Sequence, residues 1–323
     1  MKLAVLTAPE TFEIVDAPVP EVGPDEVLVR VAACGVCASE LDPWSGISSS
    51  GAPPSYPLYP GHEVSGTVVD RGAAVTGFER GEPVAVWATG RGFAEYVAVK
   101  AEYCRAAGSV PLRQALAEPL ACSVNAVELA DVRLGDDVVV VGAGFMGNLV
   151  QKLVHLRGPR QVIVADTRPD ALERAAQLGA TRVVDVRTES LPDVVADLTD
   201  GVGADLTFEV TGTQAALPAL GAVTRMSGKV AIVGYHQGPA REIPLGQWNW
   251  MAFHIVNAHF RDVATILRGM TVGMRLLTSG RLALDELVTH TYPLEAINEA
   301  FADAVRKPKG FVKSTVTFDE GRT

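Results

Sequence analysis

Val138-Val139-Val140-Val141-Gly142-Ala143-Gly144-Phe145-Met146-Gly147 is the stretch whose reading decides the fold. Four successive valines read as a strand buried on both faces, and the GxGxxG that follows directly opens a helix. In that context Gly142 permits the tight turn, Gly144 lets the backbone approach a pyrophosphate, and Gly147 packs helix on strand. Phe145 and Met146 begin the helix, whose N-terminus receives the diphosphate. The next strand, Gln161-Val162-Ile163-Val164-Ala165-Asp166, ends in an acid 19 residues beyond Gly147. An acid there hydrogen-bonds the ribose hydroxyls and repels a 2'-phosphate, so NAD is expected over NADP. Arg168 pulls the other way.

Downstream, strand and helix patterns alternate: 161–166, then RPDALERAAQLGA, TRVVDV, ADLTFEVTG, TQAALPALGAVTRMSG, KVAIVGYH and HIVNAHF. With the valine strand this gives six strands in one doubly wound parallel sheet, the number a full dinucleotide fold uses. Thr211, Gly212 and Gly234 terminate later strands on the ligand-binding side, and are read either as cofactor contacts or as ordinary turn residues. Upstream, residues 1 to about 120 hold short Val-rich strands (LAVLT, EVLVRVAACG, VSGTVVDRG, EPVAVWA, AEYVAV) with few helical signals. The last segment, LVTHTYPLEAINEAFADAVRKPKGFVKSTVTF, ends in a strand. Since the parallel sheet is already complete, that strand is expected on the N-terminal β-rich domain. The expected organisation is α/β: residues 1–122 with 269–323 form one domain, and a Rossmann domain, 123–268, is inserted in it.

The 323 residues carry 28 Lys+Arg against 38 Asp+Glu, a formal charge of -10, with no block of like charge. Nucleic acid lacks the basic footprint it needs. Four cysteines, at 34, 37, 104 and 122, are too few to staple a chain of this length, and point to a reducing compartment. Pro and acids interrupt the N-terminal apolar run within ten residues, and no run of 18 apolar residues occurs. A soluble cytoplasmic protein, without membrane or nucleic-acid partners, is expected.

Three polar features are expected on loops of the β-rich domain: Cys34-Gly35-Val36-Cys37 with Ser39, then Gly61-His62-Glu63, then Ala117-Glu118-Pro119. Catalytic zinc needs three protein ligands and one open position, and a Cys, a His and a Glu from separate loops can supply them. Alone, the CxxC also reads as a redox pair or half of a zinc ribbon. The ribbon fails for want of a second CxxC, and a redox pair normally sits in a thioredoxin-like βαβ.

Taken with Phe93-Ala94-Glu95-Tyr96, Glu118-Pro119-Leu120 and Gly142-Ala143-Gly144, these motifs resemble the zinc-dependent medium-chain alcohol and polyol dehydrogenases, over essentially the whole chain. The resemblance implies a GroES-like β-barrel catalytic domain around the Rossmann insertion. It implies Cys37, His62 and Glu118 as zinc ligands, Glu63 as an intermittent fourth, and Ser39 as the first proton acceptor. Glu118 stands where simple alcohol dehydrogenases have Cys and sorbitol-like enzymes have Glu, which leans toward polyols. Many relatives carry a structural zinc in a four-cysteine lobe between the positions of Glu63 and Glu118. Only Cys104 lies in that interval, so one catalytic zinc and no structural zinc is expected. Asp42 stands where many relatives end their proton relay in His, so the relay is shorter, or ends at Asp42 or at water.

The expected activity is NAD- and zinc-dependent oxidation of a secondary alcohol in a small polyol, cyclitol or sugar-like substrate to a ketone, or the reverse, by a homodimer or homotetramer. The alternatives are a zinc-independent NADPH quinone or enoyl reductase of the same superfamily and a non-catalytic NAD-binding protein. Residues 247–254, with Trp248 and Trp250, are read as lining the pocket or packing a subunit interface, and Trp44 as a pocket residue. The Ser-, Gly- and Pro-rich stretch 45–60 reads as a lid or spacer.

Overall fold

The computed structural model describes residues 1–48 and 53–318. The chain divides into two compact units, Met1–Ala121 with Ile266–Thr323, and Cys122–Thr265.

In the first unit, Glu26–Gly35 is the central strand. It pairs antiparallel with Glu63–Arg71 and Tyr96–Lys100 and, through Thr315 opposite Gly35, with the tail strand Ser314–Thr317. Pro83–Trp87 and Cys104–Ala106 extend the sheet on one side, and His290–Pro293 on the other. Alternating valines put Val27, Val29, Val31, Val64 and Val84 into one core, where the helix Ile297–Arg306 adds Phe301. Phe12, Trp44 and Phe93 ring Phe301 at centroid distances of 4.8, 5.9 and 5.6 Å. Each such buried side chain contributes roughly 1.5–3 kcal/mol. Trp44 is therefore a core residue, correcting its reading as a pocket residue. Within the stretch 45–60, residues 49–52 lie outside the described residues.

The second unit holds six parallel strands in the spatial order Arg182–Asp185, Gln161–Asp166, Asp137–Val141, Ala204–Glu209, Thr224–Ile232, His254–Asn257. Numbered along the chain this is 3-2-1-4-5-6, the dinucleotide-binding order. The fifth strand begins five residues earlier than KVAIVGYH, read as a strand in the sequence, where Thr224 Oγ1 bonds back to Leu220 O at 2.7 Å and closes the preceding helix. In the aromatic cluster, Trp248 is buried among Leu217 and Leu220 of this unit's own core, while Trp250 is exposed.

A second difference concerns Glu118. The triplet 117–119 is not a loop but the first turn of the helix Ala117–Ala130. Proline is tolerated in a first turn because its missing N–H has no intrahelical partner there in any case.

Candidate active site

Cys37 follows the strand Glu26–Gly35 by two residues and caps a single 3-10 turn, Ala38–Glu40. Gly61 takes φ +101°, a conformation open to glycine, and a side chain there would meet the backbone of Phe93 at 2.6 Å. That turn delivers His62, and Glu63 begins the next strand. The result gathers ligand atoms of Cys37, His62 and Glu63 within 4.8 Å of one another. Gly35 is the reason Glu63 fits: a Cβ on residue 35 would lie 2.1 Å from Glu63 Oε2.

Glu40, which the sequence reading did not single out, completes the arrangement. Its Oε1 accepts the Gly61 N–H at 2.7 Å and faces His62 Nδ1 at 2.9 Å. Because a carboxylate can only accept, Nδ1 carries a proton, and Nε2 is the atom that can ligate a metal once its own proton is displaced. Burial pushes the Glu40 carboxyl up, but His62 and the backbone N–H groups of Gly61 and Cys37 outweigh it and hold it below the usual range. For His62, burial opposes the charged form, yet Glu40 and then Cys37 hold the imidazole well above its ordinary value. Such a carboxylate–histidine pair orients a metal-binding ring. Glu40→Gln is expected to weaken zinc affinity about 10- to 100-fold, read by competition with a chromophoric chelator; an unchanged affinity would remove Glu40 from this role.

Lys313 comes from the tail strand region, 250 positions away in sequence. Its Nζ donates to Glu63 Oε1 at 2.8 Å and lies 2.6 Å from Oε2, out of line for a second hydrogen bond. Burial lowers its basicity, but Glu63, Cys37 and Glu118 more than compensate, so the ammonium is held above its usual range. Glu118 is half-buried and stands outside the tight set of three; its field nevertheless reaches Lys313. Ser39 Oγ donates to Cys37 Sγ at 3.2 Å. Asp42 lies in the first turn of the short helix Leu41–Trp44, and among the described residues its carboxylate makes no hydrogen bond with the cluster. Ser39, Glu40 and His62 line a cavity of about 520 Å³ walled by Leu58, Tyr59 and Trp87.

Thiolate, imidazole and carboxylate are the donors zinc prefers, and the Nδ1 bond to Glu40 fixes Nε2 as the ring's ligating atom. The site therefore fits that metal. The other cysteines differ: burial pushes Cys104 up to about 12 and Cys34 well above its usual range, so both stay thiols, and Cys122 is half-buried.

In the second unit, Gly142 has φ +111°, and a Cβ on Gly147 would fall 1.9 Å from Gly142 O. Both glycines are thus enforced by close approach. Gly144 caps the helix Phe145–His155, and fully buried Asn148 ties that helix back to Ala143 O at 3.0 Å. Asp166 Oδ2 accepts the Ala143 N–H at 2.7 Å, so the acid borders the glycine turn; Arg168 Nε is 3.9 Å from its other oxygen. Thr211, Gly212 and Gly234 do converge, around Glu209. This fully buried carboxylate accepts from Thr211 N and Gly212 N at 2.7 and 2.9 Å and meets His236 Nε2 at 2.9 Å. Glu209 and His236 were not legible beforehand because nothing local marks an acid in a valine-like strand as buried.

A zinc-binding dehydrogenase family model matches residues 146–271, and a model of the alcohol dehydrogenase GroES-like domain matches 23–110. The chain is 31% identical to sorbitol dehydrogenase of Gallus gallus, covering 90% of this chain and 89% of that one. It is 32% identical to L-threonine 3-dehydrogenase of Pyrococcus abyssi, covering 90% of each. The crystal structure of 2R,3R-butanediol dehydrogenase from Bacillus subtilis superposes with a TM-score of 0.84 at 26% identity, over 98% of this chain and 99% of that one. The chain belongs to the zinc-type medium-chain alcohol and polyol dehydrogenase family, with a GroES-like domain and a Rossmann-type sheet. Zinc and a nicotinamide cofactor come with that family. No described helix is long and apolar enough to cross a membrane.

Proposed function

We propose that the protein oxidises a secondary alcohol of a small polyol, cyclitol or sugar-like substrate to a ketone with NAD, or runs the reverse reaction, using one zinc per chain. The observation that carries this reading is the gathering of Cys37, His62 and Glu63 within 4.8 Å, beside a cavity that Ser39 also lines. Cys37, His62 and Glu118 are the proposed ligands, with Glu63 intermittent because Lys313 already neutralises it. When bound, zinc supplies Lewis acidity that lowers the pKa of an alcohol oxygen. Two ligand charges, from Cys37 and Glu118, balance the ion. Ser39 is the proposed first acceptor of the alcohol proton, released thereafter to Asp42 or to water. Its hydroxyl, now donating to Cys37 Sγ, turns to the cavity for that task.

Asp166 supports NAD over NADP, since its carboxylate already borders the glycine turn. Asp166→Ser is expected to shift the NAD-to-NADP ratio of kcat/KM toward NADP by about tenfold or more, corresponding to roughly 1.4 kcal/mol. No change in that ratio would mean Arg168 sets the preference. Four free cysteines support a cytoplasmic setting, and the exposed Trp250 and Ile255 near and on the edge strand support homodimer or homotetramer assembly.

Zinc content by elemental analysis, followed by NADH formation across simple alcohols, polyols, amino-alcohols and cyclitols, tests the whole. About one zinc per chain with turnover of a diol is the expected result; no zinc, with NADPH-dependent reduction of an enone, would assign the protein to the reductases.

A further inference from the structure

The named substrates of the relatives fall into two chemical classes, polyols without an ionised group, such as sorbitol, and alcohols that carry a carboxylate, such as the zwitterion threonine. The turn that follows Trp87 bears on which class fits here. Trp87, Thr89 and Gly90 line the same cavity as Ser39 and His62, and Tyr59 forms part of its wall. The next residue, Arg91, places its guanidinium over the Tyr59 ring, 4.3 Å from the centroid.

Three features make this arginine a presented group. Its guanidinium lies over the Tyr59 ring and has no hydrogen bond or ion pair to any described residue. Its backbone is held at φ +61°, a left-handed conformation that is uncommon for a residue with a side chain. The turn is also tied to the segment that delivers His62. Arg91 N donates to Tyr59 O at 2.9 Å and Gly92 N to Gly61 O at 3.0 Å, while Cβ atoms on Gly90 or Gly92 would meet Tyr59 O at 2.9 Å or Gly61 O at 2.7 Å. The spacing between Arg91 and His62 is thus set by backbone contacts and not by a mobile loop. Stacking on Tyr59 occupies one face of the guanidinium and leaves its in-plane N–H fork available, the geometry that binds carboxylate or phosphate oxygens in pairs.

We propose that Arg91 holds the anionic group of the substrate, so that the preferred alcohol carries a phosphate monoester or a carboxylate near the carbinol that reacts. This rests on the dehydrogenase reading above and narrows its substrate class.

The test uses zinc-loaded full-length enzyme with matched pairs: sorbitol against sorbitol 6-phosphate, and L-threonine against its methyl ester. The member of at least one pair that carries the phosphate or carboxylate is expected to have the higher kcat/KM, the pair identifying which anion is held. Arg91→Gln is expected to lower the kcat/KM ratio of the member with the anionic group to the member without it by about 10- to 100-fold, mainly through KM. Arg91→Lys recovers part of the ratio, since a point charge replaces the fork. Calorimetric titration with inorganic phosphate and with acetate gives a readout independent of turnover: one of the two binds the wild type, and Arg91→Gln loses it. Equal effects of Arg91→Gln on alcohols with and without the anionic group, or anion binding that is absent or indifferent to residue 91, would overturn the proposal. Failure of the underlying reading looks different, as wild-type enzyme without zinc and without turnover of any alcohol.

Discussion

Cys37→Ala is expected to purify with the zinc content reduced from about one per chain to background and with NADH formation lost, while NAD still binds in the second unit. The magnitude follows from the ligand count. Three protein donors are the minimum for a catalytic zinc, and thiolate is the softest of them. Removing Sγ leaves one imidazole and carboxylates, one of which is already taken by Lys313. His62→Ala should do the same, and Glu118→Ala should lose zinc more than Glu63→Gln, because Glu63 has a cationic partner without the metal. Zinc uptake should also depend on pH in a defined direction. His62 is held well above its ordinary value in the metal-free chain, so below that raised value the metal must displace a proton. Apparent affinity therefore rises with pH until the imidazole is neutral. Elemental analysis, cofactor titration and zinc competition at several pH values check these outcomes. Full activity of a metal-free Cys37→Ala chain would eliminate the mechanism.

Sequence legibility was uneven, for physical reasons. The glycine turn and Asp166 are visible because each has a short-range cause: a strand, a tight turn and a helix N-terminus follow one another within ten residues. Cys37 and His62 are visible as motifs for the same reason. The helix Ala117–Ala130 was missed because AEPLACSVNAVELA opens on proline and has apolar residues around most of its circumference, which blurs the helical period. Glu40 looked like one more acid in a short segment; its burial exists only once Gly61 folds across it. The boundary at Thr224 depended on a side-chain bond to Leu220 O that competes with helix continuation. Lys313 was beyond reach, since its partner lies 250 positions earlier and the two meet only through the pairing of the tail strand with Glu26–Gly35.

That pair gives the second large expected effect. Lys313→Met preserves length and apolar stem but removes the one ammonium facing a carboxylate that is 1% exposed. A carboxylate left in that state costs about 3–5 kcal/mol, well above a surface ion pair. Chelator-stripped Lys313→Met should therefore unfold at clearly lower denaturant than the stripped wild type. The folded-state value of Lys313 is raised, so its contribution is complete at pH below the ordinary lysine value and fades only as pH climbs through the raised one; measurements near neutrality see all of it. The double variant Glu63→Gln/Lys313→Met should regain most of the loss, because removing both charges removes the desolvation problem. Adding zinc to the single variant should regain part of it too, since the cation supplies a new counter-charge for Glu63. A loss below about 1 kcal/mol, in the range of surface pairs, would show that water reaches Glu63 and that the pair is not sealed. A single variant that zinc does not restore at all would show that the metal does not reach Glu63, and would remove it as an intermittent ligand.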